Sequence, residues 1–258
     1  MQKRKIVLVG TGFVGMSMAY CLLNQGVAQE LVLIDVDKQK AEGEAMDLSH
    51  GVPCAGAEME IRAGDYAECK DASLVVITAG IAQKPNQTRL ELAKTNAQIA
   101  AEITKNIVAS GFHGIILVAS NPVDVMTHVV QKVSGFPSEK VIGSGTVLDT
   151  ARLRYLIGKY LGISTKNVHA YIMGEHGDSS FVPWEHCYAG CKSLKEIMID
   201  NHHELKDLDR IYTEVQQAAY EIINRKKATY YGIGLALTKL IKAILNDENG
   251  IRNYNRKF

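Results

Sequence analysis

The stretch KIVLVGTGFVG, which runs from Lys5 to Gly15, decides the fold. An apolar, β-branched run leads straight into the glycine motif Gly10-Thr11-Gly12-Phe13-Val14-Gly15, and a helical pattern comes next over about 13–25. In such a β–α unit the first glycine allows the tight turn, the second lets the backbone approach a pyrophosphate, and the third lets the helix pack close to the sheet. The helix N-terminus then offers N–H groups and a dipole to the phosphates. The stretch predicts a dinucleotide site, although glycines at this spacing can also serve packing alone.

Asp35 adds a second feature to the glycine motif. It ends the apolar run LVLID (31–35), about 20 residues beyond the motif, where a carboxylate accepts both ribose hydroxyls and repels a 2′-phosphate. We therefore expect the cofactor to be NAD rather than NADP. The alternative is that Asp35 only caps a turn.

Composition excludes several other classes of protein. The 29 Lys and Arg balance 28 Asp and Glu, so the net charge is only +1, which argues against nucleic acid or an anionic membrane as the main partner. The N-terminal apolar segment is too short for a signal peptide, and no later run is long enough to span a bilayer. The five cysteines are scattered, and only the weak pair Cys187 and Cys191 has any metal-ligand spacing. We expect a cytoplasmic protein without a bound metal.

Strand and helix patterns alternate along the first part of the chain. The strand patterns are almost uniformly apolar, as expected of a parallel sheet covered on both faces. They are KIVLVG (5–10), LVLID (31–35), LVVITAG (74–80) and GIILVAS (114–120). The helical patterns between them lie at about 13–25, 38–48, 90–110 and 122–134. This alternation predicts an α/β fold with a Rossmann-type doubly wound parallel sheet over residues 1–143.

The pattern changes near residue 143. The later elements are, in order, a helical pattern at 146–161, a strand pattern at 168–173, an irregular stretch, and helical patterns near 203–224 and 227–246. We interpret residues 144–258 as a separate α+β domain that binds the substrate.

Several polar residues stand where such a fold places its chemistry. Asn121 follows the fourth strand, at the sheet edge where ligands collect, and Arg89 lies at the end of a polar loop. Asp149 and Arg152 lie on one helix, and His176 lies in GEHGDSS. An Arg can grip a carboxylate with two hydrogen bonds, and a His oriented by an Asp can move a proton near neutral pH. Spacing alone leaves each of them open as an ordinary turn, surface or loop residue.

Taken together, these motifs resemble the lactate/malate dehydrogenase family, and its bacterial L-lactate enzymes in particular. The resemblance runs to about Asn249 and rests on GTGFVG, LVLID, ITAG, QKPNQTRLEL, SNPVD, SGTVLDTAR, GEHGDSS and RKKATYYGIGLAL, in that order. It implies reversible hydride transfer between NADH and pyruvate, which gives L-lactate and NAD.

The resemblance also implies roles for individual residues. His176 would donate and accept the proton, Asp149 would orient His176, Arg152 would hold the substrate carboxylate, and Arg89 would polarise the carbonyl. The implied substrate-binding residues are Gln83, Arg89, Asn121, Asp124, Asp149, Arg152 and Thr229. The implied cofactor contacts are Gly10, Gly12, Val14, Gly15, Asp35, Lys40, Tyr66, Gly80, Ile81, Ala119, Ser120 and Asn121.

Gln83 bears on the choice of 2-hydroxy acid. Malate enzymes of the family carry Arg at this loop position, to pair the second carboxylate of oxaloacetate, whereas lactate enzymes carry Gln. An unpaired extra charge in a dry site costs several kcal/mol. Gln83 therefore favours lactate and pyruvate over malate and oxaloacetate, and leaves longer 2-oxo acids open.

Arg154 and His169 match the positions at which bacterial lactate dehydrogenases bind fructose 1,6-bisphosphate between subunits. Cationic side chains that meet across a two-fold axis suit a ligand with two phosphates. The resemblance thus implies activation by this sugar and a homotetramer. The alternative is a solvated helix Arg and a strand-edge His.

The C-terminus departs from the family pattern. The family continues into apolar antiparallel strands and a long final helix, whereas this chain ends in the polar tail Gly250–Phe258. From this we expect a second domain that lacks its last strands and helix. The rival hypothesis is an NAD-binding remnant of a dehydrogenase that has no activity.

Overall fold

The structure, a computed structural model, describes residues 4–81 and 89–248, with only the backbone at Arg89. Its contacts divide the chain into two compact units. The first unit holds the residues up to Ser144 together with the last helix, which follows Tyr230, and the second unit is Gly145–Thr229.

A parallel sheet of six strands forms the centre of the first unit in the described part of the chain. The strands are β1 (Lys5–Val9), β2 (Glu30–Ile34), β3 (Glu60–Ala63), β4 (Leu74–Ile77), β5 (Ile115–Val118) and β6 (Val141–Gly143). Their order, β3-β2-β1-β4-β5-β6, is that of the doubly wound dinucleotide-binding fold. The predicted α/β fold class is confirmed.

The helices of both units follow the chain order. They are α1 (Phe13–Gln25), α2 (Lys38–Gly51), α3 (Arg89–Ala109), α4 (Val123–Ser134), α5 (Val147–Leu161), α6 (Leu194–Asp200), α7 (Lys206–Lys226) and α8 (Tyr231–Leu245). Every residue of β1, β2 and β4 is buried, because helices cover the sheet on both faces. On one face, Val7 and Val75 share a core with Ile107 of α3 and Met126 of α4.

Lys5 is the one charged residue in β1, and only 4% of its surface is exposed. Its Nζ lies 2.8 Å from Glu68 Oε2 and 2.6 Å from Asp71 Oδ1. A buried ammonium is tolerated only when it is paired in this way. These two ion pairs therefore allow the charged side chain of Lys5 to be buried at the start of β1.

The last helix, α8, packs along α1. A Cβ on Gly234 would lie 2.8 Å from Ser17 Cβ, so the two backbones approach closely at this point. The Thr238 hydroxyl donates to Gly234 O at 2.9 Å, so its polar atom is satisfied inside the contact. The sequence grouped residues 144–258 as one domain, whereas this packing places α8 with the first unit.

The second unit combines helices with a small antiparallel sheet of β7 (Val168–His169), β8 (Tyr188–Ala189) and β9 (Lys192–Ser193). The strand predicted over 168–173 is shorter than expected, since only its first two residues are paired in the sheet. Its other end is held by an isolated bridge between Met173 and Phe181. The irregular stretch contains α6, which begins with a capping box of Ser193 and Glu196.

Within residues 4–81 and 89–248, no helix has the length and apolar character that a membrane crossing requires. The same residues contain no group of three or more His, Cys, Asp or Glu that could hold a metal ion. All five cysteines are free thiols.

Candidate active site

The glycine motif forms a tight turn between β1 and α1. Gly10 has φ +104°, and a Cβ there would lie 2.6 Å from Ala79 N. A Cβ on Gly15 would lie 2.7 Å from Thr78 Oγ1 and would also collide with Gly10 O. The Thr78 hydroxyl donates to Gly10 O at 2.8 Å and fixes the turn to the end of β4. Packing within the chain therefore accounts for these two glycines.

Gly12 differs from the other two glycines. A Cβ on Gly12 would meet nothing within 4 Å, so packing within the chain does not require a glycine. Gly12 is the N-cap of α1, which has no side-chain cap and no acidic residue in its first turn. The N-terminus of α1 therefore presents backbone donors and a positive dipole end, as a pyrophosphate site requires, and Gly12 leaves room for the ligand.

Asp35 lies immediately after β2, and its carboxylate is held by three backbone and side-chain donors. Thr11 donates to Asp35 Oδ2 twice, from N at 2.7 Å and from Oγ1 at 2.8 Å. Asp37 N donates to Oδ1 at 3.1 Å. Partial burial raises the pKa of Asp35, but the hydrogen bonds from Thr11 and Asp37 and the charge of Lys40 outweigh burial and lower it overall. Asp35 is therefore a fixed negative charge beside the glycine turn.

The other residues predicted to contact the cofactor lie around this turn in the first unit. Val14 is in the first turn of α1, and Lys40 is an exposed residue in the first turn of α2. Tyr66 is half-buried, and burial, with the negative charges near it, raises its pKa to about 12. Tyr66 is therefore a neutral phenol at physiological pH. Asp35 also lines an open cleft of about 690 Å³, whose walls come from α2 and the segment 61–65.

Two loops follow β4 and β5 and are tied to each other. The Ser120 hydroxyl donates to Ala79 O at 2.6 Å. Asn96, which is 4% exposed on α3, accepts from Ile81 N at 3.0 Å and donates to Asn121 O at 2.9 Å. These bonds bring the predicted contacts Gly80, Ile81, Ala119, Ser120 and Asn121 to one edge of the sheet. The Asn121–Pro122 peptide bond is cis.

In the second unit, Asp149 joins His176 and Arg152. His176 Nδ1 lies 2.6 Å from Asp149 Oδ2, and Arg152 Nη1 lies 3.1 Å from Asp149 Oδ1. The Asp149 and Arg152 side chains are each 15% exposed, whereas His176 is 34% exposed. The three residues that spacing alone left open are thus in direct contact. A carboxylate that orients an imidazole, beside a guanidinium, can support proton transfer and carboxylate binding.

Two threonines explain why Asp149 reaches His176. The Thr146 hydroxyl, at the N-cap of α5, donates to Ile172 O at 2.6 Å. The Thr150 hydroxyl accepts from Ile172 N at 3.0 Å. The first turn of α5, which carries Asp149, is therefore fixed to the segment that leads into the loop of His176.

The loop of His176 is closed at its base. Met173 and Phe181 exchange two backbone hydrogen bonds, Met173 N to Phe181 O at 2.9 Å and Phe181 N to Met173 O at 3.0 Å. Gly174 has φ +89°, in the region that favours glycine. The Tyr212 hydroxyl of α7 donates to Ser180 O. These contacts hold the ends of the loop on which His176 lies.

Arg154 lies on α5 and bonds the residue that follows His169. Arg154 Nε donates to Ala170 O at 2.9 Å, and its guanidinium lies 4.5 Å from the centre of the Tyr171 ring. His169 is exposed on β7. Among the residues that the structure describes, the contacts of Arg154 orient its side chain and use one of its five donors.

The remaining predicted residues are less fully described. Gln83 and the side chain of Arg89 lie outside the described residues. Asp124 is in the first turn of α4. Thr229 is half-buried and follows α7 in the second unit.

Sequence reasoning missed the residues that position the site, namely Thr11, Thr78, Asn96, Thr146, Thr150 and Tyr212. A Thr, Asn or Tyr is compatible with a surface position as well as with a buried one, so the residue type does not identify a positioning role. Thr11 alone had a sequence signal, because it stands inside the glycine motif.

The chain is similar to known proteins along most of its length. Residues 4–143 match the model for the NAD-binding domain of lactate/malate dehydrogenases, and residues 146–254 match the model for their alpha/beta C-terminal domain. L-lactate dehydrogenase 1 of Bacillus cereus is 56% identical over 248 residues, which are 96% of this chain and 79% of that protein. L-lactate dehydrogenase 2 of Bacillus cereus is 54% identical over the same shares of the two chains.

The chain is also similar to solved structures of lactate dehydrogenases. A lactate dehydrogenase from a Medee basin deep-sea metagenome library has a TM-score of 0.97 at 56% identity, covering 99% of this chain and 82% of its own. The minor L-lactate dehydrogenase of Enterococcus mundtii in its ligand-bound form has a TM-score of 0.98 at 50% identity, covering 100% and 82%.

The doubly wound sheet with its glycine turn is a dinucleotide-binding fold, and the matching domain model identifies NAD as the cofactor. With the relatives, this makes the chain an NAD-dependent oxidoreductase. The chain belongs to the lactate/malate dehydrogenase family.

Proposed function

We propose that this chain is an L-lactate dehydrogenase that catalyses pyruvate + NADH + H⁺ ⇌ L-lactate + NAD⁺. The observation that carries the proposal is the carboxylate of Asp149, which contacts His176 with one oxygen and Arg152 with the other. A proton carrier and a carboxylate-binding cation next to each other are what reduction of a 2-oxo acid requires. The similarity to L-lactate dehydrogenases supports the choice of substrate.

His176 supplies the proton in this proposal. If Nδ1–H donates to Asp149, proton exchange with the substrate falls to Nε2. During reduction of pyruvate, the imidazolium gives its Nε2 proton to the carbonyl oxygen, which becomes the hydroxyl of lactate. Bound NADH supplies the hydride. The negative Asp149, 2.6 Å from Nδ1, stabilises the imidazolium before the transfer and holds the ring in one orientation afterwards.

Arg152 binds the substrate carboxylate in the same proposal. A guanidinium has five N–H donors in a planar fork, and the bond to Asp149 uses one of them. Two parallel bonds to the pyruvate carboxylate can form with the others. We further propose that Arg89 polarises the carbonyl and that Asn121, Asp124 and Thr229 line the pocket, as the family pattern implies.

Gln83 is our proposed determinant of substrate choice. A neutral amide offers no charge to the second carboxylate of oxaloacetate, so the dicarboxylate would bring an unpaired charge into the site. This supports pyruvate over oxaloacetate.

The purified chain is expected to oxidise NADH with pyruvate at least roughly tenfold more efficiently than with oxaloacetate, measured as kcat/KM by the loss of NADH absorbance. Faster reduction of oxaloacetate would overturn the argument from Gln83. NADH binding without turnover of either acid would favour the inactive NAD-binding remnant over the proposed enzyme.

Fructose 1,6-bisphosphate is the proposed activator, and a homotetramer of the family type in a reducing cytoplasm is part of the same proposal. Arg154 is held beside Tyr171 with donors left for a phosphate, and His169 is exposed.

We expect the sugar bisphosphate to lower the half-saturating pyruvate concentration or to strengthen subunit association. Arg154→Gln should remove the response without changing the basal rate. The idea fails if saturating sugar bisphosphate alters neither quantity in the unmodified chain.

A further inference from the structure

Thr11 is the one polar side chain in the glycine motif Gly10–Gly15, and it is buried, at 1% exposed. Its backbone N–H and its hydroxyl both donate to a single atom, Asp35 Oδ2, at 2.7 and 2.8 Å. The backbone bond would be present with any residue at this position except proline. The hydroxyl bond depends on the side chain, and among the amino acids of similar size only Thr and Ser supply it.

The two bonds from Thr11 leave the two oxygens of Asp35 in different states. An ionised carboxylate has about four acceptor sites, roughly two on each oxygen. Thr11 occupies Oδ2 twice, whereas Oδ1 accepts from Asp37 N at the longer distance of 3.1 Å. The capacity to accept from a ligand is therefore concentrated on Oδ1. Thr11 also stops rotation of the carboxylate, because turning it would break two short bonds at once.

We propose that Thr11 is a positioning residue that sets the preference for NAD over NADP by locking the carboxylate of Asp35. This rests on the proposed NAD-dependent function and on the role of ribose ligand that the sequence predicts for Asp35. A fixed carboxylate accepts from a ribose hydroxyl of NAD at the remaining site on Oδ1, and it cannot turn away from the 2′-phosphate of NADP. A mobile carboxylate binds the ribose less well and can move away from the phosphate. The hydroxyl of Thr11 thus both strengthens the binding of NAD and weakens the binding of NADP.

The lowered pKa of Asp35 agrees with this role. The hydrogen bonds from Thr11 and Asp37 favour the ionised form strongly enough to overcome partial burial. The charge that repels a 2′-phosphate is therefore present throughout the physiological range.

The test compares Thr11→Val, which is close in shape but has no hydroxyl, with Thr11→Ser, which keeps the hydroxyl. The dissociation constants of NADH and NADPH would be measured by quenching of protein fluorescence or by calorimetry, so that turnover is not needed. For Thr11→Val we expect the NADPH-to-NADH ratio of dissociation constants to fall roughly tenfold, in line with the loss of one hydrogen bond to a charged group. Thr11→Ser should keep the ratio within about threefold of the unmodified chain.

Asp35→Ser separates this proposal from the assignment on which it rests. If Asp35→Ser lowers the NADPH-to-NADH ratio of dissociation constants and Thr11→Val does not, the role of Thr11 is wrong and that of Asp35 stands. If Asp35→Ser leaves the ratio unchanged, both roles are wrong. Equal weakening of NADH and NADPH by Thr11→Val, without recovery in Thr11→Ser, would show a structural role only and would also overturn the proposal.

Discussion

His176→Asn is expected to lower kcat for pyruvate reduction by roughly 10³-fold, with the dissociation constant of NADH within about twofold of its original value. The side-chain amide of Asn can still donate to Asp149 from near the position of Nδ1, so the half-buried carboxylate keeps a second partner beside Arg152. The amide cannot carry the proton that Nε2 gives to the carbonyl oxygen. The loss therefore falls on the chemical step. Stopped-flow measurement of NADH oxidation and a separate titration with NADH would distinguish the two effects.

His186 provides the matched control. It is an exposed histidine of the same unit, and it lies outside the contacts of Asp149. His186→Asn should leave kcat within about twofold, as for most exposed substitutions. A His176→Asn variant that retained more than about a tenth of the rate would show that the proton comes from another group, and the assignment of His176 would be wrong.

The fold could be predicted from sequence wherever burial was uniform. β1, β2 and β4 are buried at every position, and such strands give unbroken apolar runs. β3 gave no such signal, because it is an edge strand whose residues are mostly exposed or half-buried. β6 has only three residues, which is too short to show a period. A run of apolar residues reports coverage by helices, and β3 at one edge of the sheet has less of it, whereas β6 at the other edge is buried but short.

The position of α8 could not be read from the order of the chain. The helical pattern near 227–246 was placed with the second domain because it follows that domain in sequence. Its partner, α1, lies more than 200 residues earlier, and the close approach depends on Gly234 facing Ser17. A pattern of apolar residues shows that a helix face is buried, but it does not identify the partner.

At the candidate site, too, the sequence indicates the residues but not their partners. Residue types and motif order indicated Asp149, Arg152 and His176, but no spacing could show that Asp149 contacts both of the others. That contact depends on Thr146 and Thr150, whose hydroxyls fix α5 to Ile172. The sequence could indicate candidate residues for the chemistry, because proton transfer and carboxylate binding restrict the residue type. It could not indicate the bonds that position those residues, because many residue types can make them.

Arg152→Lys is expected to raise KM for pyruvate by roughly 10²-fold to 10³-fold while kcat falls less than about tenfold. Lys keeps a positive charge beside Asp149. The Asp149 carboxylate, whose side chain is only 15% exposed, therefore still has a cation next to it. What is lost is the planar fork that makes two parallel bonds to a carboxylate. Because those bonds hold the substrate both before and during hydride transfer, their loss weakens binding more than it slows the bound complex.

Arg225→Lys is the control for this substitution. Arg225 lies on α7 with its side chain 80% exposed and pairs with Glu221, so the same change of residue type removes no buried contact. Steady-state kinetics over a wide range of pyruvate concentrations, with saturating NADH, separates KM from kcat. If Arg152→Lys left KM for pyruvate unchanged, the carboxylate would be bound elsewhere. A fall in kcat alone would place Arg152 with the proton transfer through Asp149 rather than with substrate binding, since Asp149 contacts both Arg152 and His176.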